Sequence, residues 1–161
     1  MLLVGTIHLE VIGLGVGVGG GGYVSPLPTF KPTPTPQIVT SKWITPTDKK
    51  VTWQKAKEIC REHGARLPTI EELKRVVRDC GGINTTYGED NNWGTIADKN
   101  IANKSYQSCY KQKGFTSNSY WSSTTNVSDS SNVWLVYFYG GDDYWDSRTN
   151  EFRVRCVRGG Q

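Results

Sequence analysis

The residue types that do chemistry are few in this chain, and their spacing narrows what they can do. The four cysteines are Cys60, Cys80, Cys109 and Cys156. None lies in a Cys-x-x-Cys pair, and the two histidines, His8 and His63, are not spaced as their partners. That argues against a zinc site. Four cysteines allow three pairings. The pairing Cys60–Cys156 with Cys80–Cys109 is the one that clips the ends of a domain together and closes the segment between the middle two. In the chain-entropy picture each such bond stabilises by roughly 3.5–4.7 kcal/mol, more for the longer loop. The alternative is four reduced, buried thiols in a reducing compartment.

The carboxylates come next. Asp142, Asp143 and Asp146 bring hard oxygens close together, and Glu89-Asp90 adds two more elsewhere. Calcium takes six to eight oxygens in a cage. Three carboxylates in a Tyr/Trp-rich turn read instead as a solvated loop, so no metal or other cofactor is expected. No nucleophile–base pair can be drawn either, because His63 stands at a helix end and each cysteine has a structural partner. The expectation is a protein that is not an enzyme.

The segment Gly140-Gly141-Asp142-Asp143-Tyr144-Trp145-Asp146-Ser147-Arg148-Thr149-Asn150 has the composition of a binding loop. Tyr and Trp give large contact area at small entropic cost, and Ser and Asn adapt their hydrogen bonds. The expectation is that at least one ring of Tyr144 and Trp145 is exposed. Asp142, Asp143, Asp146, Arg148 and Asn150 would surround it as a polar rim. The competing reading makes the two rings a cover for a sheet edge. Sequons at Asn84, Asn103 and Asn126 suit an exterior location.

Charge divides the chain that must carry these residues. Residues 1–40 hold one basic residue, Lys31, and one acidic residue, Glu10. Eight of the 18 glycines lie within 1–22, and five of the seven prolines within 26–36. The organisation is therefore a Gly-rich apolar head over 1–22, a Pro/Thr-rich linker over 23–40 and a globular domain over 41–161. The linker should be extended, at about 3.1 Å per residue in polyproline II form. A membrane helix needs roughly 20 apolar residues, and the head is broken by His8, Glu10 and its glycines. It also lacks the basic start of a secretory signal. It reads as an anchor or a self-assembly segment. The net charge of +4 is spread out, without the dense basic stripe of a nucleic-acid binder.

Within 41–161, Trp53, Ala56, Cys60 and His63 recur at helical steps, with Gly64 behind them as a left-handed stop. Thr69 and Glu72 form a capping box for a second helix, whose buried stripe is Leu73, Val76, Val77 and Cys80. Residues 81–119 show no sustained period and read as a long irregular loop region. Strand signals follow at Tyr120–Ser123 and at Val133–Tyr139. In the latter Trp134, Val136 and Phe138 oppose Val133, Leu135, Tyr137 and Tyr139. Gly140-Gly141 is a turn. In the last strand Phe152, Val154 and Cys156 face inward and Arg153 and Arg155 outward. The class is α+β: two helices packed on a small antiparallel sheet.

These residues resemble a family. Thr52-Trp53-Gln54-Lys55-Ala56-Lys57-Glu58-Ile59-Cys60 and Gly64-Ala65-Arg66-Leu67-Pro68-Thr69-Ile70-Glu71-Glu72-Leu73 resemble the helical half of C-type lectin-like domains. Tyr120-Trp121-Ser122-Ser123-Thr124, Trp134–Phe138 and Val154-Arg155-Cys156-Val157-Arg158 resemble the sheet half. The subgroup is the bacterial one typified by the C-terminal domain of collagen-like surface adhesins, and the resemblance covers about residues 43–159. It implies a bond between the helix cysteine and the last-strand cysteine.

The resemblance implies three different jobs, between which fold cannot choose. Calcium-dependent sugar binding uses Glu-Pro-Asn or Gln-Pro-Asp with Trp-Asn-Asp, and none of these is present. Formylglycine-generating enzymes share a relative of the fold but need a reactive cysteine pair. The diversified receptors of diversity-generating retroelements use the fold with the final hairpin as a variable ligand site. The expectation is a secreted or surface-displayed module that binds a protein or glycan. The alternative is a structural subunit of a filament or coat, assembled through residues 1–22.

Overall fold

The chain divides into two units, Met1–Ile38 and Val39–Gln161. The structure is a computed structural model and describes residues 19–21 and 42–159. The head and linker expectations therefore fall almost wholly outside the described residues, and the elements all belong to the second unit.

Helix α1 (Trp53–Glu62) buries Trp53, Ala56 and Cys60, one face of a 3.6-residue period. It stops at Gly64, whose φ of +63° is the left-handed conformation that favours glycine. Helix α2 (Ile70–Asp79) begins with the expected capping box. The Glu72 amide donates to Thr69 Oγ1 at 3.2 Å and the Thr69 amide donates to Glu72 Oε2 at 3.0 Å. Its buried face is Leu73, Val76 and Val77.

The region read as irregular over 81–119 is corrected by two further helices and a short strand: β2 (Thr85–Thr86), α3 (Trp93–Ala102) and α4 (Lys104–Gln112). These helices lack an apolar stripe because polar side chains do much of their docking. Asn100, 2% exposed, donates to the Ile83 and Gly140 carbonyls at 2.7 Å each and accepts from the Ile83 amide. Gln107 donates to the Tyr139 carbonyl at 2.9 Å. Tyr106 and Tyr110, one turn apart on α4, supply the apolar contact. No described helix is long and apolar enough to cross a membrane.

The main sheet has the order β2-β5-β4-β3, with β3 at Ser119–Thr125, β4 at Asn132–Tyr137 and β5 at Asp142–Ser147. β2 runs parallel to β5; the other pairings are antiparallel. A second, two-stranded sheet pairs β1 (Trp43–Ile44) with β6 (Cys156–Val157) and so joins the two ends of the domain.

Both faces of β4 are apolar because each covers a core. Val136 and Phe138 pack with α2, α4, Phe115 and Tyr120. Val133 and Leu135 pack with Trp53, Trp121, Val154 and the Cys60 and Cys156 side chains. The disulfides are Cys60–Cys156 and Cys80–Cys109, with Cα–Cα distances of 5.5 and 5.4 Å. The outward placing of Arg155 is corrected. It is 6% exposed, lies over the Phe115 ring at 5.0 Å, and donates to the Lys113 carbonyl and to Thr45 Oγ1.

Candidate ligand-binding site

The expected binding loop is not a loop. Asp142–Ser147 is strand β5, held between β4 and β2 in the middle of the sheet. Strand alternation then sorts its side chains. The cross-strand pairs Tyr137–Asp142, Leu135–Tyr144 and Val133–Asp146 lie on one face. Val136–Asp143 and Trp134–Trp145 lie on the other. The three aspartates therefore cannot converge on one ion. Among the described residues no group of three or more His, Cys, Asp or Glu is placed to hold a metal.

One end of the first face forms a pocket. Ser119, Tyr137 and Asp142 are register partners across three strands. Tyr144 stands one pleat along, and Tyr87 follows β2, its amide donating to the Asp143 carbonyl at 2.9 Å. These five residues line a hollow of about 330 Å³. A second hollow of about 380 Å³ adjoins it, lined by Tyr87, Gly88, Glu89, Tyr144 and Trp145. The rings form a path from surface to core. Trp93 lies 4.3 Å from Tyr87, Tyr87 6.5 Å from Tyr144, Tyr144 6.3 Å from Phe152, and Phe152 5.0 Å from Trp121. Tyr144 Oη donates to Ser119 Oγ at 2.8 Å, which fixes its ring.

Two buried carboxylates open β5, one on each of its faces. Asp142 is 6% exposed, and burial pushes its carboxyl up to about 6, with the Asp143 charge adding to the shift. Among the described residues no cation pairs with it. Asp143 has Lys74 Nζ at 3.4 Å and the Thr86 hydroxyl at 3.3 Å on Oδ2, while its Oδ1 has no hydrogen-bond partner. Burial raises its pKa as well, against the opposing pull of Lys74. Buried polar groups are nearly always paired, so the unpartnered Oδ1 of Asp143 is a departure to be explained.

The expected rim is thus redrawn. Asp142 is floor, not rim, and Asp143 lies buried on the opposite face of the strand beside Lys74 and Thr86. Tyr144 is half-buried and Trp145 is 47% exposed. Asp146 turns back on its own chain, accepting from the Ser147 amide and from Asn150 Nδ2. Arg148 lies over the Trp53 ring at 4.8 Å and donates to the Ser130 carbonyl, tying the hairpin to α1.

The sequon asparagines also have local partners. Asn84 accepts from Arg78, Asn103 caps α4 by accepting from the Tyr106 amide, and Asn126 accepts from the Ser128 amide. Asp90 accepts from the Thr85 hydroxyl and Thr86 amide, which lowers its pKa. Sequence reasoning missed Tyr87, Trp93, Ser119 and Tyr137. Only the register of four strands brings them together.

A larger concavity lies elsewhere among the described residues. A cleft of about 800 Å³ between α1 and α2 is lined by Lys57, Arg61, Arg66 and Arg75 with Glu71 and Glu72. Arg66 and Glu72 neutralise one another at 2.7 Å, and Lys57 sits over the Trp53 ring. That cleft has neither exposed rings nor a buried group lacking a partner, so the aromatic surface is the stronger candidate.

Among the described residues, four helices and two small sheets, with the domain ends joined by β1–β6 and Cys60–Cys156, define a C-type lectin-like α+β domain. The chain belongs to the Lcl C-terminal domain family, whose model matches residues 35–158. The family is one of adhesin-like surface domains, and the chain's disulfides are compatible with an extracellular or surface location. No curated protein and no solved structure matches the chain.

Proposed function

We propose that this is an extracellular, surface-displayed binding module that engages a protein or glycan ligand through the aromatic surface of Tyr87, Trp93, Tyr144 and Trp145. One observation carries the reading. Tyr87 and Trp145 are 55% and 47% exposed, and they flank the half-buried Tyr144 beside a pocket lined by the buried Asp142. Large rings left in water beside a concavity are the usual anchors of an interface. The remaining segments fit a supporting role: Arg148 and Asp146 hold the hairpin, and the disulfides hold the frame.

The test is a screen of the full chain against a glycan array and a panel of immobilised extracellular proteins, followed by the double variant Tyr87→Ala/Trp145→Ala. The variant should lose at least tenfold in affinity for whatever the wild type binds, with Tm unchanged within about 4 °C. Undiminished affinity in the variant would overturn the reading.

A further inference from the structure

We propose that the pocket floored by Asp142 takes the primary ammonium group of a lysine side chain on a protein ligand. This deepens the reading of the aromatic surface as the ligand site and rests on it. Three observations carry it. The pocket walls are the rings of Tyr87, Tyr137 and Tyr144, and tyrosine faces attract organic cations. Its floor holds a carboxylate that is 6% exposed and has no cation among the described residues. Its remaining lining group, Ser119 Oγ, accepts one hydrogen bond from Tyr144 and keeps acceptor capacity for another donor.

A primary ammonium brings three N–H donors and one charge. The charge answers Asp142, and the donors reach Asp142 and Ser119 while the aliphatic stem lies against the rings. A quaternary ammonium would match the rings but leave both acceptors without a donor. An amino sugar would carry its own hydroxyls against the ring faces. The surroundings suit a basic protein segment, since Glu89 lines the adjoining hollow beside the exposed face of Trp145. An unpaired buried carboxylate destabilises the free protein, and an incoming cation relieves it.

The experiment titrates the full chain with N-acetyl-lysine N-methylamide, following tyrosine ring signals by NMR. The neutral isostere N-acetyl-norleucine N-methylamide, choline and glucosamine form the other arms. The lysine derivative is expected to saturate with shifts at Tyr87, Tyr137 and Tyr144. The norleucine derivative should bind at least tenfold more weakly, and Asp142→Asn should lose at least tenfold for lysine. Equal binding of the norleucine derivative, an unaffected Asp142→Asn variant, or no saturation would overturn the proposal. Tighter binding of choline or glucosamine would overturn the choice of lysine. If lysine fails here while Tyr87→Ala/Trp145→Ala still abolishes ligand binding, only the ammonium assignment falls. If that double variant binds normally, the surface reading falls.

Discussion

The carboxylate of Asp142 occupies the space that a Cβ on Gly140 would take: an added Cβ would collide with Oδ1. Gly140 lies in the turn that joins β4 to β5 and Asp142 opens β5 two residues on, so the placing of the aspartate depends on the bareness of the glycine. The demand is steric. At the neighbouring Gly141 it is conformational, with φ at +76°. Gly140→Ala should therefore displace the Asp142 carboxylate and weaken binding of the lysine derivative at least tenfold, with little loss of stability because the atom that must move is the end of a side chain. Chemical denaturation reads the stability, and the NMR titration with the lysine derivative reads the site. A variant of wild-type stability that keeps full binding would show that the contact is idle.

Asp142 also sets a pH dependence. Its folded pKa, about 6, lies above the ordinary value of 3.8. The folded state then binds a proton before the unfolded state does, so stability falls as pH rises through this window. The groups that interact with Asp142 are Asp143, Tyr106, Tyr137 and Tyr144, and none is a cation. Each pKa unit is worth about 1.4 kcal/mol. Asp142→Asn is expected to stabilise the protein at pH 7.5 by about 2–3 kcal/mol, with the gain shrinking to nothing by about pH 4. A variant less stable than wild type at pH 7.5 would contradict this.

Glu72 acts in the opposite sense. The Arg66 guanidinium, with the Thr69 amide and Lys42, holds its carboxyl at about 2, below the ordinary 4.5. That stabilisation is present above pH 4.5 and is lost as pH falls toward 2. Glu72→Gln removes the ion pair with Arg66 while leaving an oxygen to complete the capping box. It should lower stability at pH 7 by about 1–3 kcal/mol, and the difference from wild type should vanish in acid. Together the two carboxylates predict a wild-type stability maximum near pH 4, measurable by thermal melts across roughly pH 3–8.

The legibility of each element in the sequence depends on how that element is held. Helices α1 and α2 are readable because their buried faces are apolar at helical spacing and Thr69–Glu72 announces a start. Helices α3 and α4 are not, because Asn100 and Gln107 dock through hydrogen bonds, and in a sequence both look like surface residues. Strand β5 is hidden by its own aspartates. A rule that places Asp at the surface reads Asp142–Ser147 as a loop, whereas its central position in the sheet buries Asp142 and Asp143. Composition alone points to the rings of Tyr144 and Trp145. Tyr87, Ser119 and Tyr137 join them only through strand register, which no local pattern states.

The disulfides should contribute unequally. Cys60–Cys156 closes a sequence separation of 96 residues and Cys80–Cys109 one of 29. The chain-entropy relation gives about 4.7 and about 3.6 kcal/mol respectively. Peptide mapping without reductant should recover these two pairs, and Cys60→Ala/Cys156→Ala should destabilise more than Cys80→Ala/Cys109→Ala. The reverse order in denaturant melts would contradict the argument from loop length.

The location of the ligand tests the account most directly. Oxidative footprinting by mass spectrometry compares the full chain alone with the chain saturated by a ligand found on the array or protein panel. Tyr87 and Trp145, the two large rings most open to solvent among the described residues, should each lose most of their reactivity in the complex. The α1–α2 cleft around Arg61 and Arg75 should be unchanged. Protection confined to that cleft, with Tyr87 and Trp145 as reactive as in the free protein, would contradict the account.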